Sequence, residues 1–463
     1  MRKMMTRLLA ALIAISLTAA VLVGCNGRSE NIPENTPEDI PTDIELASGK
    51  TVLTLAIGSF HADDLYDVVA RFNVSNDEYY VQVLDYSKYN PGNDPWAGDL
   101  RLKTEMMSGS MPDILDMSLL WYSQFAAMGF LENLYPYIDA DPDFSRGDFF
   151  ESVLRVSEID GGLYQVCPSF YINTIVGHPA VLGAEPGWSM EEFIATIEAH
   201  PEADMPLGVR FDKETFLIAV LGFDLDNYVD WEAGTVNFDT PEFIQLLEFA
   251  NTLPAELTMA DYNNAFEYAD SLIPTGRQIM SFSFISGIFD IAREEALFGG
   301  DIVLKGFPSE REVGHSLQID YSYAMTTGSE HKDGVWQFLR MFLDAEYQAN
   351  YGRIPSNKNV FDAQIDRELQ INRKLRDYVE TLKTDYDLYE DDDLYEDEEI
   401  LEAADQLRAV IDTASGSVGF IGDRDLRNIV FDEASRFFSG EITAQEAANI
   451  IQNRASILMS ERH

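Results

Sequence analysis

The feature that most restricts this chain is the alternation of apolar patterns at the start of its folded part. Val52, Leu53, Leu55 and Ile57 form a near-continuous apolar run closed by Gly58, which predicts a strand. Leu65, Val68, Val69 and Phe72 then recur at helical spacing, with Asp63 or Asp64 placed to cap the helix. Tyr80 to Leu84 reads as a second strand, and Trp96 to Met107 as a helix carrying Leu100 and Met107 inward. Ile114, Leu115 and Met117 are too few for a helix and predict a third strand. Strand, helix, strand, helix, strand implies a parallel sheet with right-handed crossovers, and so an α/β fold.

The third strand opens a stretch, Ser108 to Leu134, that carries the first functional expectation. Gly109 and Pro112 punctuate its start. Beyond the strand come Ser118, Trp121 and Tyr122, then a helix through Phe125 and Met128 that closes at Gly129. In open α/β sheets, ligands bind outside the carboxyl ends of the strands. Trp121 and Tyr122 therefore stand where a binding surface is expected, as do Phe60 and His61 after the first strand.

At 463 residues the chain is long enough for two lobes, and 46% hydrophobic residues can fill two cores. Lys plus Arg number 32 against 80 Asp plus Glu, a formal charge of −48. A surface this acidic repels phosphate backbones, which excludes nucleic acid as a partner. Cys25 and Cys167 are the two cysteines, too few for a disulfide framework or a zinc site. Cys167, among apolar neighbours, is expected to be a small buried hydrophobe.

The first 25 residues have the layout of a secretion signal: Arg2, Lys3 and Arg7, then an apolar stretch from Leu8 to Val23. Leu22-Val23-Gly24-Cys25 resembles the bacterial lipobox. That resemblance implies a diacylglycerol on the Cys25 thiol, whose two acyl chains give stable anchoring. Residues 26–50 are polar and carry Pro33, Pro37 and Pro41, so they are expected to be a flexible tether.

Further along, Ser189 and Glu192 form a capping box, and Thr443 with Glu446 forms another. Val335, Phe338, Leu339 and Phe342 repeat at helical spacing. The acidic run Asp385 to Glu399 reads as a solvated helix face or loop; the spacing and central glycine of an EF-hand are absent.

Short motifs recur at Gly109 to Ile114, Gly129 to Leu134, Gly162 to Pro168, Trp188 to Phe193, Gly276 to Met280, Gly352 to Ser356 and Phe438 to Glu446. This set resembles the extracellular solute-binding proteins of family 1, the maltose-binding-protein-like receptors of sugar ABC importers. The motifs occur in the family's order and span nearly all the chain after the tether. Tyr171-Ile172-Asn173 departs from the Tyr-Asn pair often found there. The resemblance implies a two-lobed periplasmic-binding-protein-like fold of type II, each lobe a mostly parallel sheet flanked by helices. Three hinge crossings are expected near Pro168–Ile172, Ile279–Ser283 and Leu317–Tyr323. Lobe 1 would then comprise 51–168 plus 283–318, and lobe 2 172–279 plus 323–463.

The implied function is capture of a carbohydrate, an oligosaccharide by expectation, between the lobes and delivery to an ABC transporter permease. The implied place is the extracytoplasmic face of the cell membrane of a Gram-positive-type bacterium, held by the lipid anchor, as a monomer. Sugars offer apolar C–H faces and rims of hydroxyls, so aromatic rings and carboxylates are the expected partners. Besides Phe60, His61, Trp121 and Tyr122, the candidates are Phe170 and Tyr171, Phe282 and Phe284, Tyr321 and Tyr323 at the crossings. Asp116 and Asp320 are candidate hydroxyl acceptors, and Phe420 lies in the region that supplies an aromatic in the family. Alternation along a strand means that some of these face the cleft and others the core. A receptor for a peptide, polyamine or other cation remains an alternative, as does a secreted glycosidase with paired carboxylates. No nucleophile elbow, H-E-x-x-H or phosphate loop is present, so neither an enzyme nor a cofactor or metal is expected.

Overall fold

The computed structural model describes residues 48–59, 61–91, 96–117, 122–230, 233–309, 314–350, 353–385, 395–416 and 424–462. The signal, the lipobox with Cys25 and most of the tether lie outside them, as does most of the acidic run. Contacts divide the chain into Met1–Ser48 and Gly49–His463, and every strand belongs to the second unit. Among the described residues, no helix is long and apolar enough to cross a membrane.

Among the described residues, nine strands build two sheets: β1 (Thr51–Ile57), β2 (Tyr79–Asp85), β3 (Ile114–Asp116), β4 (Ser169–Gly177), β5 (Met280–Ile285), β6 (Val303–Leu304), β7 (Ser316–Ile319), β8 (Tyr323–Met325) and β9 (Ile354–Pro355). Two further two-residue hairpins stand apart from them.

The first sheet has the order β8-β3-β1-β2. β1 pairs parallel with both β2 and β3, as the alternation requires, while β8 joins β3 antiparallel. The first crossover helix, α1 (Leu65–Ser75), buries Leu65, Val68, Val69 and Phe72. These meet Leu53, Leu55 and Val81 from the sheet, and Val335, Phe338 and Phe342 from downstream. Asp64 stands at the N-cap of α1 but makes no side-chain cap bond. The second crossover helix, α2 (Ala97–Met107), turns Leu102 and Met106 to the opposite face, with Ala56 and Leu115. Leu100 and Met107, expected inward, are exposed. Two apolar stripes exist on that helix, and the sheet selects the 102/106 pair.

The second sheet departs from the parallel expectation. β4 is its spine, and β5, β6, β7 and β9 all pair with it antiparallel. β5 (on Ile172–Gly177) and β9 (on Ser169–Phe170) share one edge; β7 (on Phe170–Asn173) and β6 (on Val176–Gly177) share the other. Phe170, Ile172 and Val176 face one core, which includes Ile285, Ile288, Ile291 and Leu407. Ile175 and Met280 face another, closed by aromatics such as Phe193, Phe216 and Phe243 and by Ala447 and Ile451 of the last helix. Both expected capping boxes form, at Ser189 and Thr443.

The pairing also regroups the chain relative to the expected lobes. Residues 283–318 contribute β5, β6 and β7 to the second sheet, while β8, expected with lobe 2, completes the first. Ile279–Ser283, expected as a crossing, lies at the start of β5, where Met280–Ile285 pairs along six residues of β4. The chain passes between sheets three times. It leaves the first sheet after Val166, which bonds Tyr323, and enters the second at Ser169. It returns between Ile319 and Tyr323. The third passage lies between Tyr347, in the first core, and Ile354, paired with Phe170.

Candidate ligand-binding site

One face of β4 changes character along its length. Side chains alternate across a strand, so Tyr171, Asn173 and Ile175 share a face. Register adds Phe282 opposite Ile175, Phe284 and Ser316 opposite Asn173, and Gln318 opposite Tyr171. At the Ile175 end the face is sealed by core. At the Tyr171 end the side chains turn polar and aromatic, and Tyr171, Asn173, Phe284 and Gln318 are half-buried. That open end lies beside all three passages.

The Tyr171 and Phe284 rings lie 4.3 Å apart, centroid to centroid, inclined by 32°. The Arg353 guanidinium sits 4.8 Å from the Phe284 centroid and 5.7 Å from that of Tyr171. Cations are attracted to ring faces at such distances. Arg353 also approaches Asp320, Nε to Oδ2, at 3.4 Å, and the Asp320 backbone N–H points at the Ser169 carbonyl at 3.4 Å. Asp320 follows β7 and Arg353 precedes β9, so strands on opposite edges of β4 bring this pair together.

Electrostatics tie the first sheet to the same place. Burial raises the Tyr321 phenol above its ordinary range, and the carboxylates of Asp320, Asp63 and Asp116 push it further, against Arg353. Burial likewise raises Tyr171, with Asp320 adding to it and Arg353 opposing. Asp116 is buried at the end of β3, in register with Tyr323. The Tyr347 hydroxyl donates to Asp64 Oδ1 at 3.4 Å. Burial raises both groups; their contact raises Tyr347 further and opposes the rise of Asp64.

Of the sequence candidates, Tyr171, Phe284, Asp320, Tyr321 and Asp116 come together. Phe60, Trp121 and Phe420 lie outside the described residues. His61 is half-buried and stands edge-on to Tyr66, centroids 5.6 Å apart. Tyr122 is instead a core residue: its hydroxyl donates to the Ser157 carbonyl beneath the first sheet. Phe170 is fully buried on the reverse of β4, edge-on to Phe150. Tyr323 stacks on Phe342, centroids 4.0 Å apart, inside the first core. Phe282 packs between Phe211 and Phe307 toward the sealed end. Arg353, Asn173, Gln318 and Asp63 were not anticipated as site residues. For Asn173 and Gln318 the usable signal was alternation from Tyr171; for Arg353 it was a cation inside the predicted Gly352-to-Ser356 turn.

The chemistry on this surface is that of a binder: flat rings, a guanidinium, carboxylates and amides, gathered where the chain passes between two sheets. Comparison with known proteins agrees in fold. The sugar-binding protein MalE of Xanthomonas citri superposes with a TM-score of 0.57 at 14% identity, covering 89% of this chain and 98% of its own. The GacH receptor of Streptomyces glaucescens, solved unliganded and with acarbose, gives 0.51 at 17% identity, covering 89% and 99%. An ABC substrate-binding protein from Listeria monocytogenes in complex with cycloalternan gives 0.51 at 16%, with the same coverage. These likenesses make the fold a mixed α/β, periplasmic-binding-protein type II fold. No curated protein matches the chain. The profile of the family described as bacterial extracellular solute-binding protein matches residues 81–349, more than half of the sequence. The chain belongs to the bacterial extracellular solute-binding protein family.

Proposed function

We propose that this protein captures a carbohydrate between its two sheets and delivers it to an ABC transporter permease, while tethered to the membrane through a lipid on Cys25. It acts as a monomer and breaks no bond. The two sheets frame two lobes, one built on 51–166 with 321–347 and the other on 169–319 with 354–462. Hinge motion at the three passages closes them on the ligand, with the free energy coming from contacts that only the closed form makes.

The observation that carries this reading is the half-exposed Tyr171–Phe284 pair, flanked by Arg353 and Asp320, at the open end of a face whose other end is sealed by core. Rings bind the apolar face of a sugar; the guanidinium and carboxylate bind its hydroxyl rim. The same fold holds acarbose in the Streptomyces receptor and cycloalternan in the Listeria protein, which fits the reading.

Titration calorimetry with a panel of oligosaccharides tests it. At least one member is expected to bind, and Phe284→Ala to weaken that binding by about tenfold or more, since the lost ring is half of the platform. Silence across the panel, together with binding of peptides, would refute the assignment.

A further inference from the structure

We propose that the amides of Asn173 and Gln318 form a hydroxyl-reading edge beside the ring pair, and that a sugar is held well there when the unit stacked on Tyr171 and Phe284 carries free hydroxyl donors at two positions. The inference rests on the carbohydrate reading and adds what that sugar must carry.

Register sets the layout. Asn173 stands between Phe284 of β5 and Ser316 of β7, and Tyr171 stands opposite Gln318 of β7. All five positions share one face of the sheet. Ring to ring is one diagonal step from β5 to β4. Amide to amide is the parallel step from β4 to β7. The two diagonals therefore lie one strand apart, about 4.8 Å. That offset suits a pyranose, whose apolar face covers the rings while its hydroxyl edge overhangs the amides.

Both amides are prepared to accept. Asn173 is half-buried, and its Oδ1 is buried without a hydrogen-bond partner. Buried polar groups are nearly always paired, and an unpaired one is costly, so this oxygen points to a donor brought by a ligand. Gln318 is half-buried as well, and its Nε2 donates to Ser316 Oγ at 2.7 Å. That bond fixes the plane of the amide and leaves Oε1 as its acceptor. A hydroxyl satisfies such an oxygen. A methylene or a fluorine in the same place leaves it unpaired.

Calorimetry on the intact protein with maltotriose, cellotriose, mannotriose and xylotriose selects the tightest trimer. Its monodeoxy and deoxyfluoro derivatives, one for each hydroxyl, are then compared with the parent. Fluorine accepts weakly and donates nothing, so it separates a need for a donor from a need for an acceptor. In the wild type, the deoxy and deoxyfluoro forms at two positions of one unit are each expected to bind about tenfold weaker or worse. Asn173→Leu should bind the parent and one of those two deoxy forms within about twofold of each other. Asn173→Asp, which keeps the acceptor, should restore the difference. Gln318→Leu should erase the penalty at the other position. A merely structural role would weaken every derivative alike and leave the ratios unmoved. Ratios untouched by either leucine variant, or deoxyfluoro forms that bind like the parent, overturn the inference and leave the carbohydrate reading standing. Silence from all four trimers overturns both.

Discussion

His315 offers a prediction that the structure sizes directly. Its ring is 1% exposed, just before β7, and its Nδ1 lies 2.9 Å from Thr174 Oγ1 across the sheet. Burial alone pushes its pKa down from 6.5 to about 4. A group depressed in this way supplies stability that is fully present above its unfolded value. That stability is lost as pH falls toward the folded value, because only the unfolded chain takes up the proton. The whole effect is worth about 3 kcal/mol, and roughly 1.4 kcal/mol of it should already be gone at about pH 5.5. That pH stays clear of the sequence pI of about 4.2, where solubility fails. Urea unfolding of the wild type and of His315→Gln at about pH 7.5 and 5.5 reads this out. Glutamine keeps a polar group beside Thr174 but does not titrate. The wild type should lose roughly 1.4 kcal/mol more than the variant over this interval. Equal pH dependence in the two proteins refutes a buried neutral imidazole. Proton titration of the assigned His315 ring gives the same answer without mutation: no shift down to about pH 5 is expected, and a midpoint near 6.5 refutes the reasoning.

Glu294 has the opposite sign. Burial raises its pKa, although Ser283 donates to it and Arg293 lies 3.4 Å away. Its contribution is therefore present below the ordinary glutamate value and lost as pH rises through the folded one, so Glu294→Gln should gain stability relative to wild type toward neutral pH in urea melts. Ser189→Ala removes the bond from the Glu192 backbone N–H, 3.1 Å, and should cost about 1 kcal/mol in the same assay. Asn173→Leu should weaken the best carbohydrate ligand by about tenfold in calorimetry while leaving the unfolding midpoint nearly unchanged, since the amide oxygen has no internal partner to lose.

The first sheet was legible because its evidence is local. Apolar period switches from strand to helix and back within some sixty residues, and parallel pairing follows from the crossovers that this switching forces. The second sheet was not. β4 mixes Asn173 and Thr174 with Phe170, Ile172 and Ile175, so its own pattern names no single buried face. Its four partners arrive from 280 onward, and no local pattern records which edge each will take. That is why neither the pairing of β5 with β4 nor the passage before β9 can be read from the sequence. Helix α2 failed for a smaller reason: Leu100 with Met107 and Leu102 with Met106 are both plausible stripes until a sheet is placed beneath one of them.

The site shows the same dependence on pairing, more sharply. Phe170 and Tyr171 are adjacent aromatics, and alternation guarantees that they take opposite faces of the strand. It cannot say which of them faces core. The choice is made where Phe170 joins Ile285, Ile354 and Leu407 in one apolar cluster, which commits Tyr171 to the opposite side. The same register decides Arg353, because pairing of Ile354 with Phe170 sets the preceding residue beside the open end of β4. An arginine far along the chain thus becomes part of the platform without any motif of its own. It follows that Ile354 acts on ligand binding through position alone. Ile354→Gly, which leaves every proposed ligand contact chemically intact, should loosen β9 and lower affinity for the best carbohydrate by several fold, whereas a change to Val, which keeps the strand, should not. Equal affinity in the glycine and valine variants, both folded by circular dichroism, would mean that Arg353 is placed by something other than this strand pair.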